Sequence, residues 1–405
     1  MTILLIHLLL LSLCAFPVRW PSSQSQTIQS RKTKPKEDES VRESREKARL
    51  ALSPLAKPFK RVWSYQLESV TSIIASDEGD RLFAATDTGR VLCLDLKSGE
   101  LIWSAEPGGR ITTEAAVGVG LVIVASTTNT GNGARSALRA LDRSTGVTVW
   151  VRDYDRTFTS PPALFGSMVY AGSSDGSLYA VSLKGGEILW KSPTGGVVQG
   201  RPLIADRLIL VGSDDGALHA VKIETGEQAW TFQTAGKVRG CPAIDNKTVY
   251  FGSGDGYVYA VDLATGKLRW KSRTGAGLES SALLAGDRVM IGSLDDFLYV
   301  LSKATGNRLW KRRLVDRIVA SPIVETDVIM VSPFHGDHVV MFMNSDGQRV
   351  NYYQLDRGDE IIGAPLFRCG LLLLPTNRGI IAAAVTDESD SSPSKTPPSK
   401  TPRKK

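Results

Sequence analysis

Cysteine and histidine are scarce in this chain, which has four of each among 405 residues. Three of the cysteines, Cys93, Cys241 and Cys369, are far apart, and no Cys-x-x-Cys pair occurs. A zinc knuckle and a thioredoxin-like redox site both need two thiols within a few residues of each other. The sequence therefore excludes both kinds of site.

No apolar run reaches the roughly 20 residues that a transmembrane helix needs. Residues 3–16 form an apolar stretch of fourteen, which is typical of the hydrophobic region of a signal peptide. We expect residues 1–23 to direct export, which predicts a periplasmic protein. Cys14 leaves a lipoprotein signal with a lipid anchor as an open alternative, although Leu13 stands where a small residue is usual.

A net positive charge is missing from the body of the chain, although the net charge of the whole sequence is +7. Residues 17–61 have a balance of +7 and residues 386–405 a balance of +2, so the segment between them is close to −2. A body that binds nucleic acid would concentrate Lys and Arg on the fold, and we predict no nucleic acid partner. Residues 24–57 form a charged linker, and the Pro/Ser/Lys-rich tail 386–405 is predicted to be disordered.

Tryptophan recurs with a regular period. Seven tryptophans are 40 residues apart, except for one interval of 47, and such a period indicates a repeat architecture. Most of them follow a turn that contains glycine, as in TGEQAW, because glycine permits the positive φ of a tight turn. The structural repeat residues are Trp63, Trp103, Trp150, Trp190, Trp230, Trp270 and Trp310.

A second turn recurs earlier in each unit and is built on an Asp-Gly pair, as at Asp215 and Gly216. Asp-Gly between apolar runs is a strong hairpin signal. Together with the apolar segment VVQGRPLI at 197–204, each unit has four short strands and no helical pattern. Such units stack radially as propeller blades, with each Trp as an apolar plate between blades. The interval of 47 predicts an insertion near residues 127–136.

The ends of the repeat determine the number of blades. Six units are complete, the seventh has Asn351 and Tyr352 where its Trp is expected, and the eighth has three strands that end at Val385. The segment FKRVW at 59–63 supplies the missing strand and closes the ring, which removes exposed edges. The sequence predicts an all-β fold, an eight-bladed β-propeller of four-stranded blades over residues 58–385, closed by an N-terminal strand that completes the last blade.

The units GSDDGALHAVKIETGEQAW and GSGDGYVYAVDLATGKLRW resemble the pyrroloquinoline-quinone-like (PQQ-like) repeat family. The resemblance implies a propeller and leaves two branches open for function. One branch consists of much longer quinoprotein dehydrogenases, which bind the quinone and a calcium ion and commonly have adjacent cysteines. The other is non-catalytic and includes the outer-membrane assembly lipoprotein BamB, which this chain resembles in size, leader and blade count.

The resemblance to the second branch implies a non-catalytic scaffold of the cell envelope that binds an envelope protein or peptide. A component of the β-barrel assembly machinery is the implied partner, and the outer membrane is the implied anchor site. No cofactor and no catalytic residue are predicted, because the aspartates of the turns recur in most blades whereas a catalytic group is needed once. A small PQQ-dependent dehydrogenase and an extracytoplasmic ligand-binding propeller are the alternatives.

Candidate partner-binding residues are those that differ between blades at the channel end of the innermost strand. Mixed charges there suit a protein or peptide partner, and Thr112 and Glu114 contribute to them in an early blade. The candidates are Gln199, Arg201, Arg239, Glu279, Arg317 and Asp359.

The turn PFHGDH in the seventh unit is a weak candidate for a metal site, with His335, Asp337 and His338 as ligands. Only three ligands are close together, so a solvated turn is the alternative and no metal is predicted. His219 replaces a tyrosine that other units have at this position, which favours a packing role.

Overall fold

A computed structural model describes residues 54–67, 70–75, 80–111, 113–118, 120–130 and 133–385. The predicted signal peptide with Cys14, nearly all of the charged linker and the tail 386–405 lie outside these residues. Among the described residues, none of the helical segments is long and apolar enough to cross a membrane.

The described residues form an eight-bladed β-propeller, as predicted. Blade 1 consists of the strands Val70–Ala75, Arg81–Thr86, Val91–Asp95 and Leu101–Ala105, and blade 2 of Arg110–Ile111, Ala116–Val117, Leu121–Thr130, Gly133–Asp142 and Thr148–Tyr154. Blade 3 consists of Ala163–Phe165, Met168–Gly172, Ser177–Ser182 and Ile188–Pro193, and blade 4 of Leu203–Ala205, Leu208–Gly212, Ala217–Lys222 and Gln228–Gln233. Blade 5 consists of Ala243–Asp245, Thr248–Gly252, Tyr257–Asp262 and Leu268–Arg273, and blade 6 of Leu283–Ala285, Arg288–Gly292, Phe297–Ser302 and Arg308–Arg313. Blade 7 consists of Ile323–Glu325, Val328–Val331, His338–Met343 and Arg349–Gln354, and blade 8 of Leu366–Arg368, Leu371–Thr376, Gly379–Val385 and Phe59–Gln66. A 3-10 turn, Pro54–Ala56, precedes the last of these strands in the chain.

The middle strands of a blade are buried along almost their whole length, as Leu208–Gly212 and Ala217–Lys222 show. Both faces of these strands are covered by neighbouring blades, so they are continuously apolar. The outermost strand, Gln228–Gln233, is exposed or half-buried. The buried apolar residues accordingly divide into eight clusters, and each cluster combines residues of two adjacent blades. Stability therefore comes from the interfaces between repeats.

Ring closure occurs where the sequence predicts it. Phe59–Gln66 pairs antiparallel with Gly379–Val385, and Trp63 lies opposite Ala382. Blade 8 is therefore assembled from both ends of the described chain.

Each of the seven tryptophans donates its indole N–H to a backbone carbonyl of the next blade, over 2.8–3.2 Å. Trp190, for example, bonds to the carbonyl of Ile223. The same ring lies on the turn glycine of the next blade, where a Cβ on Gly226 would be 2.6 Å from the indole. Gly226 also has a φ of 74°, so both the space and the backbone require glycine.

The absence of a tryptophan from blade 7 follows from ring closure. Asn351 takes the matching place in the strand, because it pairs with Met341 just before the bulge as Trp310 pairs with Val300 in blade 6. Blade 8 has no turn between its third and fourth strands, because these strands come from opposite ends of the chain. Asn351 instead donates its amide to the carbonyls of Leu55 and Lys57, over 3.0 and 2.6 Å.

Blade 2 departs from the repeat in two ways. Its hairpin Leu121–Thr130/Gly133–Asp142 has strands of ten residues, which is where the predicted insertion lies. Its first strand is split into Arg110–Ile111 and Ala116–Val117, which both pair with the second strand. The split places Glu114 in a loop next to the propeller axis.

Candidate partner-binding face at the channel mouth

Strand direction places two kinds of loop on one end of the propeller. Strands alternate in direction within a blade, so the turn between the second and third strands and the connection to the next blade emerge on the same side. Asp214 in such a turn accordingly donates its N–H to the carbonyl of Val197 in such a connection. The first strands of neighbouring blades contact each other, as Ala243–Asp245 and Leu283–Ala285 do, and therefore lie next to the axis. We call this end of the ring the channel-mouth face.

Arg239 links two carboxylates on this face. Its Nε lies 2.9 Å from Asp214 Oδ1, and its Nη1 lies 3.0 Å from Glu279 Oε1. Lys237 adds a second cation, 3.0 Å from Asp214. The hydrogen bond from Arg239 is the main reason that the pKa of Asp214 lies below its ordinary value. Two of the predicted residues, Arg239 and Glu279, are thus brought together, whereas Asp214 was not among the predicted residues.

Arg201 reaches across a whole blade. Its Nη2 lies 2.7 Å from Glu114 Oε2 in blade 2, and its Nη1 donates to the carbonyl of Pro162, 3.0 Å away. Both side chains are partly buried, at 29% and 41% exposure. Since Arg201 leads into blade 4, this ion pair connects blades 2 and 4 beside the axis.

The remaining candidates lie elsewhere around the mouth. Gln199 is exposed. Arg317 places its guanidinium 4.5 Å from the ring centroid of Phe334, a cation–π contact. Asp359 is buried, and Arg378 Nη1 lies 3.1 Å from its carboxylate. The six predicted residues therefore occupy one face without forming a single cluster. Thr112 lies outside the described residues.

The PFHGDH turn in blade 7 directs its imidazoles to separate carboxylates. His335 Nδ1 lies 3.2 Å from Glu360, and His338 Nδ1 lies 2.7 Å from Asp337. The hydrogen bond with His338 lowers the pKa of Asp337. In the part of the chain that the structure describes, no three His, Cys, Asp or Glu side chains are grouped so that they could hold a metal ion.

His219 takes part in the architecture of its turn. Its Nε2 lies 2.9 Å from Asp215, and Tyr179, Tyr259 and Tyr299 make the same contact with the turn aspartate of their own blades. A bond repeated in four blades belongs to the turn, not to a unique site.

A cavity of about 240 Å³ opens on the same face between blades 7 and 8. The cavity was not predicted from the sequence, although Ser332 stands where four other units have glycine. Its lining residues are Glu114, Val319, Ala320, Ser321, Ser332, Pro333, Phe334, His335, Ile361, Ile362, Gly363 and Ala364.

The whole propeller matches one protein family. The model of the family described as outer membrane protein assembly factor BamB matches residues 58–153, 134–283 and 255–391. The chain belongs to this family. Among curated proteins, it is 28% identical to BamB of Moranella endobia over 130 residues, 30% of this chain and 31% of that protein. It is 24% identical to BamB of Yersinia pestis over 149 residues, which are 33% of this chain and 36% of that protein. The chain thus spans about a third of the length of the curated relatives it matches.

Solved structures support the fold of this family member. BamB from Moraxella catarrhalis superimposes with a TM-score of 0.69 at 21% identity, covering 80% of this chain and 97% of that one. The quinohemoprotein alcohol dehydrogenase from Comamonas testosteroni superimposes with a TM-score of 0.66 at 13% identity, covering 82% of this chain and 77% of that one. At these identities the likeness shows the fold alone.

The two carboxylates that Arg239 links at the channel mouth are not free to hold a calcium ion of the kind that the dehydrogenase branch binds. Calcium takes six to eight oxygen ligands, which are mainly carboxylates and carbonyls. The channel-mouth carboxylates Asp214 and Glu279 are both bonded to Arg239. No other carboxylates group with them among the described residues.

Proposed function

We propose that this protein is a non-catalytic scaffold of the cell envelope that holds a protein of the outer-membrane assembly machinery at its channel-mouth face. The observation that carries the proposal is the family match, which covers residues 58–391 in overlapping segments. The charges of the mouth support the choice of face. They belong to the part of each repeat that varies, whereas the opposite turns repeat the glycine and tryptophan contacts that hold blades together.

The ion pairs of the mouth are suited to protein recognition. Arg239 and Glu279 remain 27% and 34% exposed although they bond to each other. Side chains that are held in place before binding lose little entropy when a partner arrives. Complementary charges chiefly speed association and select the partner, so binding should weaken as salt is raised.

Affinity capture from envelope extracts tests this function. Arg239→Ala removes the central cation of the mouth and should reduce the recovery of the partner at least fivefold. The control is Arg207→Ala, which lies on the opposite end of blade 4 with its side chain 84% exposed. Equal recovery with both variants, or recovery of no outer-membrane assembly protein by the unmodified chain, contradicts the proposal.

We also propose export to the periplasm, on the basis of the apolar stretch 3–16, with a lipid anchor at Cys14 as the alternative to simple cleavage a few residues later. Mass spectrometry of the mature N-terminus tests this location. A mature N-terminus at or after Cys14 is the expected result, a diacylglyceryl group on Cys14 would identify the anchor, and an uncleaved leader contradicts export.

A small quinone-dependent dehydrogenase is the second candidate, because dehydrogenases of this fold superimpose with the chain. Incubation of the purified chain with pyrroloquinoline quinone and Ca²⁺, followed by dye reduction with alcohols, separates the two candidates. We expect no turnover above the protein-free control. Turnover that requires both quinone and Ca²⁺ contradicts the scaffold.

A further inference from the structure

A contact between a third strand and the turn before it recurs in blades 3 to 6. The residue just before the partner of the blade's tryptophan is a tyrosine or a histidine, and it bonds to the turn aspartate four residues earlier. The four pairs are Tyr179–Asp175, His219–Asp215, Tyr259–Asp255 and Tyr299–Asp295. In blades 1, 7 and 8 the position is apolar, with Leu92, Val340 and Ile381. Blades 3 to 6 are called the regular blades below.

Blade 2 has Arg139 at this position, since the next residue in the chain pairs with Trp150. The residue four positions earlier is Arg135, which pairs with Thr128 within the long hairpin and is not part of a turn. Blade 2 therefore has a cation where the regular blades have a tyrosine or a histidine, and it has lost the aspartate that would bond to this side chain.

The turn carboxylate of a regular blade lies against the connection that leads into that blade. Asp255 Oδ2 accepts a hydrogen bond from the N–H of Ala235 over 3.0 Å. A Cβ built on Gly195, the corresponding residue before blade 4, would lie 3.3 Å from Asp215 Oδ2. The place beside this residue of the connection is thus occupied by a carboxylate in the regular architecture.

Gly108 is the corresponding residue before blade 2, and its φ of 94° matches the 93° of Gly195. Apart from its chain neighbours, a Cβ built there would lie within 4 Å of one atom, Arg139 Nη2 at 3.7 Å. The N–H of Gly108 has no hydrogen-bond partner among the described residues. The backbone therefore keeps the conformation that elsewhere faces a carboxylate, but here it faces a guanidinium.

The charge of Arg139 is half-buried and has no ion-pair partner within the described part of the chain. Burial lowers the pKa of its guanidinium below the ordinary value of 12.5, and the charge of Asp153 on the neighbouring strand offsets this only in part. Nε bonds to Ser126 Oγ over 2.9 Å, which leaves the N–H groups of both Nη atoms for another acceptor. A partly buried charge without a counter-charge is costly, so an anion that reaches it binds favourably.

We propose that Arg139 and the N–H of Gly108 bind a carboxylate group, which takes the place that the turn aspartate has in the regular blades. The two Nη atoms of a guanidinium form a fork that matches the two oxygens of a carboxylate. The group is carried either by a free organic acid or by an acidic side chain of a polypeptide, and the chemistry is the same for both. The site opens on the channel-mouth face, because Gly108 belongs to a connection between blades, but it does not rest on the proposed function.

Titration of the whole chain with sodium acetate, followed by NMR of labelled arginine and glycine nitrogens, tests the site. Acetate replaces chloride at constant ionic strength, so that only the kind of anion changes. We expect the signals of Arg139 Nε–H and Gly108 N–H to shift together and to saturate. Arg139→Gln should weaken acetate binding, read at Gly108, at least about tenfold. The control is Arg135→Gln, which removes an exposed cation of the same strand and should leave the affinity within about twofold.

Asp153→Asn keeps the test decisive if Arg139→Gln does not fold. It removes a negative charge near the guanidinium and leaves Arg139 in place, so acetate should bind about two- to fivefold more tightly. Shifts that do not saturate, an affinity that is unchanged in folded Arg139→Gln, or weaker binding in Asp153→Asn overturns the site.

Two further probes identify the source of the carboxylate. N-acetylaspartate amide models an acidic side chain of a polypeptide, and N-acetylasparagine amide is its neutral counterpart. Tighter binding of the aspartate probe than of acetate supports a polypeptide, and equal binding supports a free organic acid. Equal binding of the asparagine probe and the aspartate probe overturns a carboxylate site. Capture of an assembly protein bears on the proposed function only, so the two failures are distinguishable.

Discussion

Arg201 and Glu114 form an ion pair of 2.7 Å between Nη2 and Oε2, although they come from blades 4 and 2. The pair passes over blade 3 beside the axis, and Arg201 also holds the carbonyl of Pro162 in that blade. Three blades are thereby linked at the channel mouth. The link depends on the split first strand of blade 2, which places Glu114 near the axis.

The Arg201–Glu114 pair should contribute modestly to stability. A double-mutant cycle with Arg201→Gln and Glu114→Gln should give a coupling free energy of about 0.5–1 kcal/mol, because both groups remain partly exposed. Urea unfolding of the four proteins measures it. The same cycle on Arg207 and Glu224, a more exposed pair, should give no measurable coupling. Equal coupling in the two cycles contradicts a special role for the pair at the axis.

The contact between Trp190 and Gly226 should be essential for the interface of blades 3 and 4. Gly226→Ala should cost about 3 kcal/mol or more, because the new Cβ would overlap the indole and the positive φ is strained. Gly370→Ala is the matched control, since Gly370 has a similar φ of 78° with nothing near its missing Cβ. It should cost about 1–2 kcal/mol. Thermal unfolding measures the loss of stability in both variants, and equal losses would contradict this contact.

Asn351 should secure the closing strand. Asn351→Ala removes two hydrogen bonds to Leu55 and Lys57, which should raise amide exchange in Phe59–Gln66 about five- to 100-fold. Hydrogen exchange followed by mass spectrometry measures this change peptide by peptide. Asn307→Ala, an exposed turn residue of blade 6, should leave the exchange unchanged. If amide exchange in Phe59–Gln66 is the same in both variants, Asn351 does not hold the strand.

Asp214 should make the stability of the channel mouth dependent on pH. The hydrogen bond from Arg239 lowers its pKa in the folded protein below the ordinary value of 3.8. Its contribution is therefore present above about pH 4 and is lost as the pH falls below 3.8. Asp214→Asn should flatten the fall in unfolding free energy over that range, whereas Asp287→Asn, at 85% exposure, should not. Parallel curves for Asp214→Asn and the unmodified chain contradict the assignment.

The periodic features of the fold were predictable, and the contacts between repeats were not. Tryptophan spacing and the orphan Trp63 predict eight blades and their closure, because one residue type at a fixed period identifies the unit. The contact between Trp190 and Gly226 joins two different units, so it cannot be inferred from the sequence of one repeat. Blade 7 shows the same limit: its missing Trp could be read from the sequence, but the role of Asn351 depends on where the chain ends meet.

The candidate site was predicted in part for the same reason. Variation between blades indicates Arg201, Arg239 and Glu279 correctly as neighbours of the channel mouth. Asp214 was missed because it stands beside the repeated turn aspartate Asp215, although its own position varies between blades and holds Ser174, Gly254 and Leu294 elsewhere. The cavity was missed because Ser332 is an ordinary residue by itself and differs only from the glycines of blades 3 to 6.

Site-specific photo-crosslinking in cells tests the central claim most directly. A photoreactive amino acid at Gln199, which is exposed on the channel-mouth face, is compared with one at Ala264, an exposed turn residue on the opposite end of blade 5. We predict that Gln199 yields an adduct with a protein of the outer-membrane assembly machinery and that Ala264 does not. An identical adduct from both positions, or none from Gln199, would contradict a scaffold that works through its channel mouth.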